Sequence, residues 1–308
     1  TNTKKGNAYA TLKANYAKVI YEDATLKNQP ENRKKALSIC NEIIRDFKDS
    51  EGFVVATNLK KEILHKSIEI KNEEIIPVNS LSRILVTYKN IKQVNIAIYK
   101  NDTDFNFYKY NYEDRDSIIK AFFKKKNPIK EFNTKLPQKD DYFNHSTEIV
   151  IPKLKSGSYI VLAKTDDAKN MNNVFGYSYQ TVSNLACIES NYQGEKIFQI
   201  THRVSGKPVK DAKVSISGLN IKTTNNLGEV SFENIRNKKA IITYQNDTLH
   251  IGNVYSNRYY NTTDNSKKEK HQGFLFLDRS IYRPGQEVFF KGIILSRKDY
   301  KTTIVPNE

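Results

Sequence analysis

Apolar residues in this chain change their spacing once, near residue 75, and that change limits the folds open to it. Before it they recur every three to four residues, the period of a helix with one buried face. The first such stretch runs roughly from Ala8 to Leu26, with Leu12, Tyr16, Val19 and Ile20 at helical spacing. The second, roughly Glu31 to Phe47, carries Ala36, Leu37, Cys40, Ile43, Ile44 and Phe47 on one stripe. The third, roughly Glu51 to Ile70, turns Val55, Leu59, Ile63 and Leu64 inward. Pro30 suits a first helical turn, where its missing N–H is not needed, and Asp49-Ser50 offers an N-cap.

From Ile75 onward, short β-branched and aromatic runs alternate with turn signals. Leu85–Tyr88, Val94–Tyr99, Ile149–Leu154, Tyr159–Ala163 and Val174–Tyr179 read as strands of one module. The charged, aromatic stretch between Tyr99 and Ile149 has room for a short helix near Ser117–Lys124. A second module carries strand patterns at Leu185–Glu189, Lys196–His202, Lys213–Ser217, Asn220–Thr223, Val230–Phe232, Ala240–Tyr244 and Thr248–Ile251. Glycine follows the same divide, since only Gly6 and Gly52 precede residue 150. The fold class is therefore mainly β with a helical N-terminal region, the sheets forming tandem sandwiches of immunoglobulin-like or fibronectin-like type. The expected domains are 1–74 (helical), 75–183 (first sandwich), 184–268 (second sandwich) and 269–308. The polar run Tyr260–Gln272 reads as a linker or long loop. The last segment is too short for a core of its own, so it is expected to be the start of a truncated domain.

Charge at first suggests a nucleic-acid partner, with 50 Lys+Arg against 34 Asp+Glu and a net of +16. Only 10 of the basic residues are Arg, and the Lys residues are spread through every segment. Nucleic-acid sites gather Arg and aromatics on one face, so no nucleic-acid partner is expected. The densest run, Lys124-Lys125-Lys126, reads as a solvated loop. No stretch approaches the ~20 apolar residues of a membrane helix.

Reactive constellations are absent from the sequence pattern. His65, His145, His202, His250 and His271 lack metal-ligand spacing. Asp140-Asp141 and Asp166-Asp167 lack the spacing of a calcium loop and read as solvated turns. Cys40 lies on an apolar stripe, and two cysteines make neither a disulfide framework nor a zinc site. No catalytic residue, metal or cofactor is expected, and the chain is not expected to be an enzyme. The sequons at Asn101, Asn144, Asn246 and Asn261 are what an Asn-rich chain contains by chance, and Asp116-Ser117-Ile118 and Asp247-Thr248-Leu249 fit an O-glycosylation pattern of exported bacterial proteins only weakly. The aromatic run Phe105–Tyr112 suits core packing, or, if exposed, a glycan- or protein-binding surface.

The most specific pattern lies near the C-terminus. Asp278-Arg279-Ser280-Ile281-Tyr282-Arg283-Pro284-Gly285-Gln286-Glu287-Val288 resembles the DRxxYRPGxxV signature that opens the MG2-type domain of the α-2-macroglobulin family. Pro284-Gly285 fits the central positions of a type II turn, and Val288 and Phe290 alternate toward an expected core. Val204–Val209, Ala212–Val214 and Thr224–Gly228 are similar to the TGKPVxxAxV…T(D/N)xxG pattern of bacterial macroglobulin-like domains. Leu154–Val161 resembles the LxxGxYxV end of the preceding domain, and the helical start is similar to Bacteroidetes-type members. The resemblance implies a string of macroglobulin-like sandwiches in a periplasmic or cell-surface endopeptidase inhibitor. The full-length protein would cage host or environmental endopeptidases, and this part would pack against other macroglobulin-like domains of the same chain. The family's Cys-Gly-Glu-Gln thioester motif is not present around Cys40 or Cys187, and no bait segment is identifiable, so no capture chemistry is expected here. A cell-surface binding module for a glycan or protein is the alternative.

Overall fold

Alanine, rather than leucine, faces inward from the first helix. The computed structural model describes residues 6–27, 29–101, 105–165, 174–192, 195–233, 235–256, 269–278, 282, 285–298 and 301–306. In it α1 spans Asn7–Lys27, α2 Pro30–Asp46 and α3 Glu51–Leu64. Ala10, Ala14, Ala17 and Ala24 are fully buried, whereas Leu12 is 72% exposed and Tyr16 and Val19 also face outward. The cause is steric. Gly52 of α3 meets α1 so closely that a Cβ there would fall 2.4 Å from the carbonyl carbon of Ala10. Only small side chains fit such a contact, and the larger apolar ones are left on the opposite face. Ala36, Cys40 and Ile43 of α2 and Leu59 and Ile63 of α3 complete this core, while Leu64 stays exposed.

The third helix ends at Leu64, short of the expected Ile70, because the next module satisfies its last carbonyls. Asn90, at φ 56, donates its side-chain amide to the carbonyl oxygens of Ile63 (2.8 Å) and His65 (3.0 Å). Ser50 caps the other end by accepting the Phe53 N–H at 3.1 Å. Ile68 and Ile70 then alternate as strand residues instead of following a helical stripe.

Eight strands build the first sandwich: β1 (Ser67–Asn72), β2 (Ile75–Ile76), β3 (Ser82–Lys89), β4 (Gln93–Lys100), β5 (Lys130–Lys135), β6 (His145–Ile151), β7 (Gly157–Lys164) and β8 (Phe175–Val182). One sheet has the order β1-β3-β6 and the other β2-β8-β7-β4-β5. Ile84, Val86, Val94, Ile96, Ile98, Ile149, Val161 and Val182 are among the residues filling the space between them. Helix α4 (Tyr112–Lys125) covers the outer face of the larger sheet. It is longer than the expected short helix, and Lys124 and Lys125 belong to its last turn instead of a loop. Lysines placed there complement the negative end of the helix dipole. The edge strand β5 has no apolar alternation, which hid it from sequence reading; its lysines suit an edge that must stay unpaired.

The second sandwich packs β9 (Leu185–Tyr192), β10 (Glu195–His202) and β13 (Glu229–Glu233) against β11 (Lys213–Ile216), β12 (Lys222–Thr223), β14 (Lys238–Tyr244) and β15 (Asp247–Val254). Its core includes Leu185, Phe198, Ile200, Val214, Phe232, Ile242 and Leu249. Residues 1–256 make one compact unit and 257–308 another. In the latter, β16 (Lys270–Leu277), β17 (Phe290–Lys298) and β18 (Lys301–Ile304) form an antiparallel sheet. Lys270–Gln272, read from sequence as linker, is the start of β16; most of the polar run before it lies outside the described residues.

Candidate functional site

The residues that carry the C-terminal motif gather on Asp278. Its N–H donates to the Phe289 carbonyl (3.1 Å), and its Oδ1 accepts the Phe289 N–H (3.2 Å) and the Tyr282 hydroxyl. One carboxylate thus ties the start of the loop to its middle and its end. Gly285 sits at φ 83, the value required at the third position of a type II turn, where a side chain would be strained. Arg279, Arg283 and Pro284 of the motif lie outside the described residues. Val288 and Phe290, expected to face a core, are exposed. Within this unit the described strands make one three-stranded sheet, in which Ile293, Ile294 and Leu295 are half-buried.

The second pattern, Val204–Gly228, is a clasp inside the second sandwich. Thr224 is buried; its hydroxyl donates to the Val209 carbonyl (2.6 Å) and accepts the Ala212 N–H (2.9 Å). Asn225 accepts from the N–H groups of Leu227 and Glu229, both at 2.9 Å. Gly228, at φ 73, lies where a Cβ would stand 2.3 Å from the Ile200 carbonyl oxygen. Thr224, Asn225 and Gly228 therefore serve the turn itself.

Sequence reading missed the polar junction between the two sandwiches. Asp247, the first residue of β15, accepts the Ser156 hydroxyl (2.5 Å) from the first sandwich and the Asn184 N–H (2.7 Å) from the connecting segment. Asn184 Oδ1 accepts the Val78 N–H at 3.0 Å. Arg203 donates to the carbonyls of Ser183 (3.2 Å) and Leu185 (2.8 Å). Burial lowers the Arg203 pKa from its usual value, partly opposed by the Asp247 charge. None of these residues belongs to a periodic pattern, and their convergence depends on contacts distant in sequence.

Arg33 is a second missed residue. It is buried in α2, stacked 3.6 Å over the Phe143 ring, and donates to the Tyr142 carbonyl, fastening the helical layer to the loop before β6. In that loop Asp141 accepts the Phe143 N–H (2.9 Å) and contacts His145 Nε2 at 2.8 Å. Burial alone would raise the Asp141 carboxyl; these two partners outweigh it and hold it below the ordinary value. The pair is a structural bridge, where sequence suggested a solvated turn. Asp166-Asp167 lies outside the described residues.

The other candidate residues are dispersed. His202 Nδ1 faces the Ser205 hydroxyl at 3.2 Å within a tight turn. Burial pushes the Cys40 thiol up to about 11 and the Cys187 thiol up to about 12. Among the described residues no group of three His, Cys, Asp or Glu side chains is placed to hold a metal, and no helix is long and apolar enough to cross a membrane. Phe105, Phe107, Phe122, Phe123 and Tyr177 pack on one another beneath α4, so Phe105 and Phe107 of the aromatic run are core, while Tyr108 and Tyr110 are exposed. Beside them a groove of about 670 Å³ runs between α4 and the edge of β1.

No family model and no curated protein matches the chain. Among solved structures it is similar to native alpha-2-macroglobulin from Escherichia coli spanning domains MG0-NIE-MG1, at 12% identity and a TM-score of 0.42, over 60% of this chain and 64% of that one. The same protein spanning NIE-MG1 gives 13% identity and 0.43, over 61% and 97%. Salmonella alpha-2-macroglobulin reacted with methylamine gives 9% and 0.24, over 70% of this chain and 17% of that one. The chain thus spans under two thirds of the first of these and a small part of the last. At scores below 0.5 these are likenesses only, and the functional reading rests on the residues instead.

Proposed function

We propose that this chain is the N-terminal scaffold of a bacterial, Bacteroidetes-type α-2-macroglobulin-like endopeptidase inhibitor, reaching into an MG2-type domain. The observation that supports this most is the Asp278–Val288 motif, with Asp278 bonded to Tyr282 and Phe289 and Gly285 at positive φ. The helical layer and two sandwiches that precede it suit a spacer in such an assembly. The chain itself is a non-enzymatic, cofactor-free part, exported to the periplasm or cell surface. Its partners are the macroglobulin-like domains of the same polypeptide and, through the whole protein, endopeptidases.

The test uses the full-length polypeptide mixed with a broad-specificity endopeptidase. Caging blocks large protein substrates while small chromogenic peptides are still cleaved. Equal loss on both substrates, or no loss on either, rejects the proposal.

A further inference from the structure

The groove beside α4 sets an exposed but fixed aromatic ring among groups of both charges. Tyr108 lies on the short 3-10 turn Phe107–Lys109 and is 62% exposed. A side chain so exposed is ordinarily free to turn, and this one is held. Its N–H donates to Asn106 Oδ1 at 2.8 Å, and its ring stands 6.1 Å from the Tyr177 ring and 6.0 Å from that of Tyr179. The Arg115 guanidinium lies 5.5 Å from the ring centroid and is itself tied to the Tyr110 carbonyl at 3.1 Å. Below, Phe107 is fully buried, and its N–H donates to the Tyr179 hydroxyl at 2.7 Å. The turn therefore carries the Tyr108 ring on a fixed base, and a ligand resting on it pays little side-chain entropy.

The rest of the lining mixes donors with acceptors. Asp116 of α4 is exposed and borders the same groove. The β1 side carries His65, Lys66, Glu69 and Lys71, all exposed, with Glu69 and Lys71 paired at 3.1 Å. The main chain there is already flanked by β8. A Cβ on Gly176 would meet the Ile68 carbonyl oxygen at 3.0 Å, and Asn72 donates to the Tyr179 carbonyl at 3.0 Å. Side chains are therefore what this wall offers a ligand. Asp116 and Glu69 stand against Lys66, Lys71 and Arg115, so the groove has no strong field of one sign, and a polyion gains little from it. A hydroxyl group both donates to a carboxylate and accepts from an ammonium. A neutral ligand with many hydroxyls uses both kinds of group.

We propose that this groove binds a neutral oligosaccharide, with one pyranose ring resting its C–H face on Tyr108 and its hydroxyls on Asp116 and the Lys66–Lys71 wall. The aromatic ring supplies apolar contact, and the few charged groups fix the hydroxyl pattern, as in small-ligand sites generally. The groove volume of about 670 Å³ falls within the range of about 300–1,000 Å³ usual for such sites. The proposal holds whether or not the chain belongs to a protease trap.

The test begins with an array of neutral and anionic glycans probed with the whole 308-residue chain. Glycans that bind are then titrated by isothermal calorimetry. The chain has no Trp, so Tyr108→Trp keeps a flat ring and adds a fluorophore found nowhere else in it. The expected glycan is uncharged, keeps its affinity from low salt to about 0.5 M, and shifts the emission of Tyr108→Trp. Tyr108→Ala should weaken it roughly three- to tenfold through the lost ring contact. Asp116→Asn, at an exposed position, should weaken it about fivefold. Lys213→Glu, in the second sandwich, should change nothing. Urea midpoints equal to the parent's show that each groove variant is folded; if Tyr108→Ala falls short, Asp116→Asn decides. The proposal is overturned by no glycan above blank spots, by glycans indifferent to the groove variants, or by an emission they leave unmoved. Binding of anionic glycans alone, lost at about 0.5 M salt, would mark a polyanion site and overturn it too.

Discussion

Replacing Asp247 with alanine should separate the two sandwiches without unfolding either. The Asp247 carboxylate holds the Ser156 hydroxyl at 2.5 Å and the Asn184 N–H at 2.7 Å, and Arg203 lies within its field. A hydrogen bond to a charged group is worth about 1.5–3 kcal/mol, and a buried donor left unpaired costs about 1–3 kcal/mol. Asn184 becomes that donor in Asp247→Ala, while Ser156 can turn to water. The effects share one site and do not add, so the expected loss is about 2–4 kcal/mol of coupling. The hydrophobic cores on either side are separate and keep their own contacts.

The two thiols make this measurable. Cys40, buried, reports on the helical layer, and Cys187, half-buried with its thiol pushed up to about 12, reports on the second sandwich. Pulsed thiol labelling across a urea titration should show one shared midpoint for the parent chain, since residues 1–256 form one compact unit. In Asp247→Ala, Cys187 should become labelled at lower urea than Cys40. Asp247→Asn keeps an acceptor for Asn184 and should fall between. Coincident transitions in Asp247→Ala, shifted by less than about 0.5 kcal/mol, would refute the view that this carboxylate couples the modules.

Gly52→Ala should destabilise the helical layer by about 2 kcal/mol or more, because the added methyl meets Ala10 backbone, which cannot move aside as a side chain can; thermal denaturation by circular dichroism checks it. Burial pushes Tyr99 up to about 12, above its unfolded value near 10. Its contribution is therefore intact below pH 10 and lost as pH rises toward 12, by about 2–3 kcal/mol, and Tyr99→Phe should flatten that part of the alkaline unfolding curve. Neither thiol should react appreciably with a disulfide reagent at pH 8 before unfolding, since a thiol raised to about 12 is roughly one part in ten thousand thiolate there; rapid modification of native Cys187 would contradict its environment. Arg33→Ala should cost about 3 kcal/mol through loss of the Phe143 stack and the Tyr142 bond, and Arg33→Met, which keeps the packing, should recover part of it by urea titration.

Strands with one buried face were legible from sequence. β3 alternates buried with exposed or half-buried residues from Ser82 to Lys89, and β10 alternates half-buried with buried ones from Glu195 to Ile200. Burial on a pleated sheet writes a period of two into the chain, whatever the topology. The first helix was misread on its faces because the usual rule ranks Leu, Tyr and Val as inward residues. Close crossing at Gly52 reverses that ranking, and nothing in the local sequence of α1 announces the crossing. β5 was missed for the complementary reason, since its edge position asks for charge where a central strand would ask for valine.

The same reasoning explains why the motifs were easier to find than the groups that join the modules. Thr224, Asn225 and Gly228 act within a few residues of one another, so their geometry demands a fixed local spacing that sequence displays directly. Asp247, Asn184, Ser156 and Arg203 act across separations that spacing cannot encode. Each is an ordinary polar residue in a turn or at a strand end until the fold brings it to its partners. Residues of that second class are where substitutions should uncouple the modules without unfolding either.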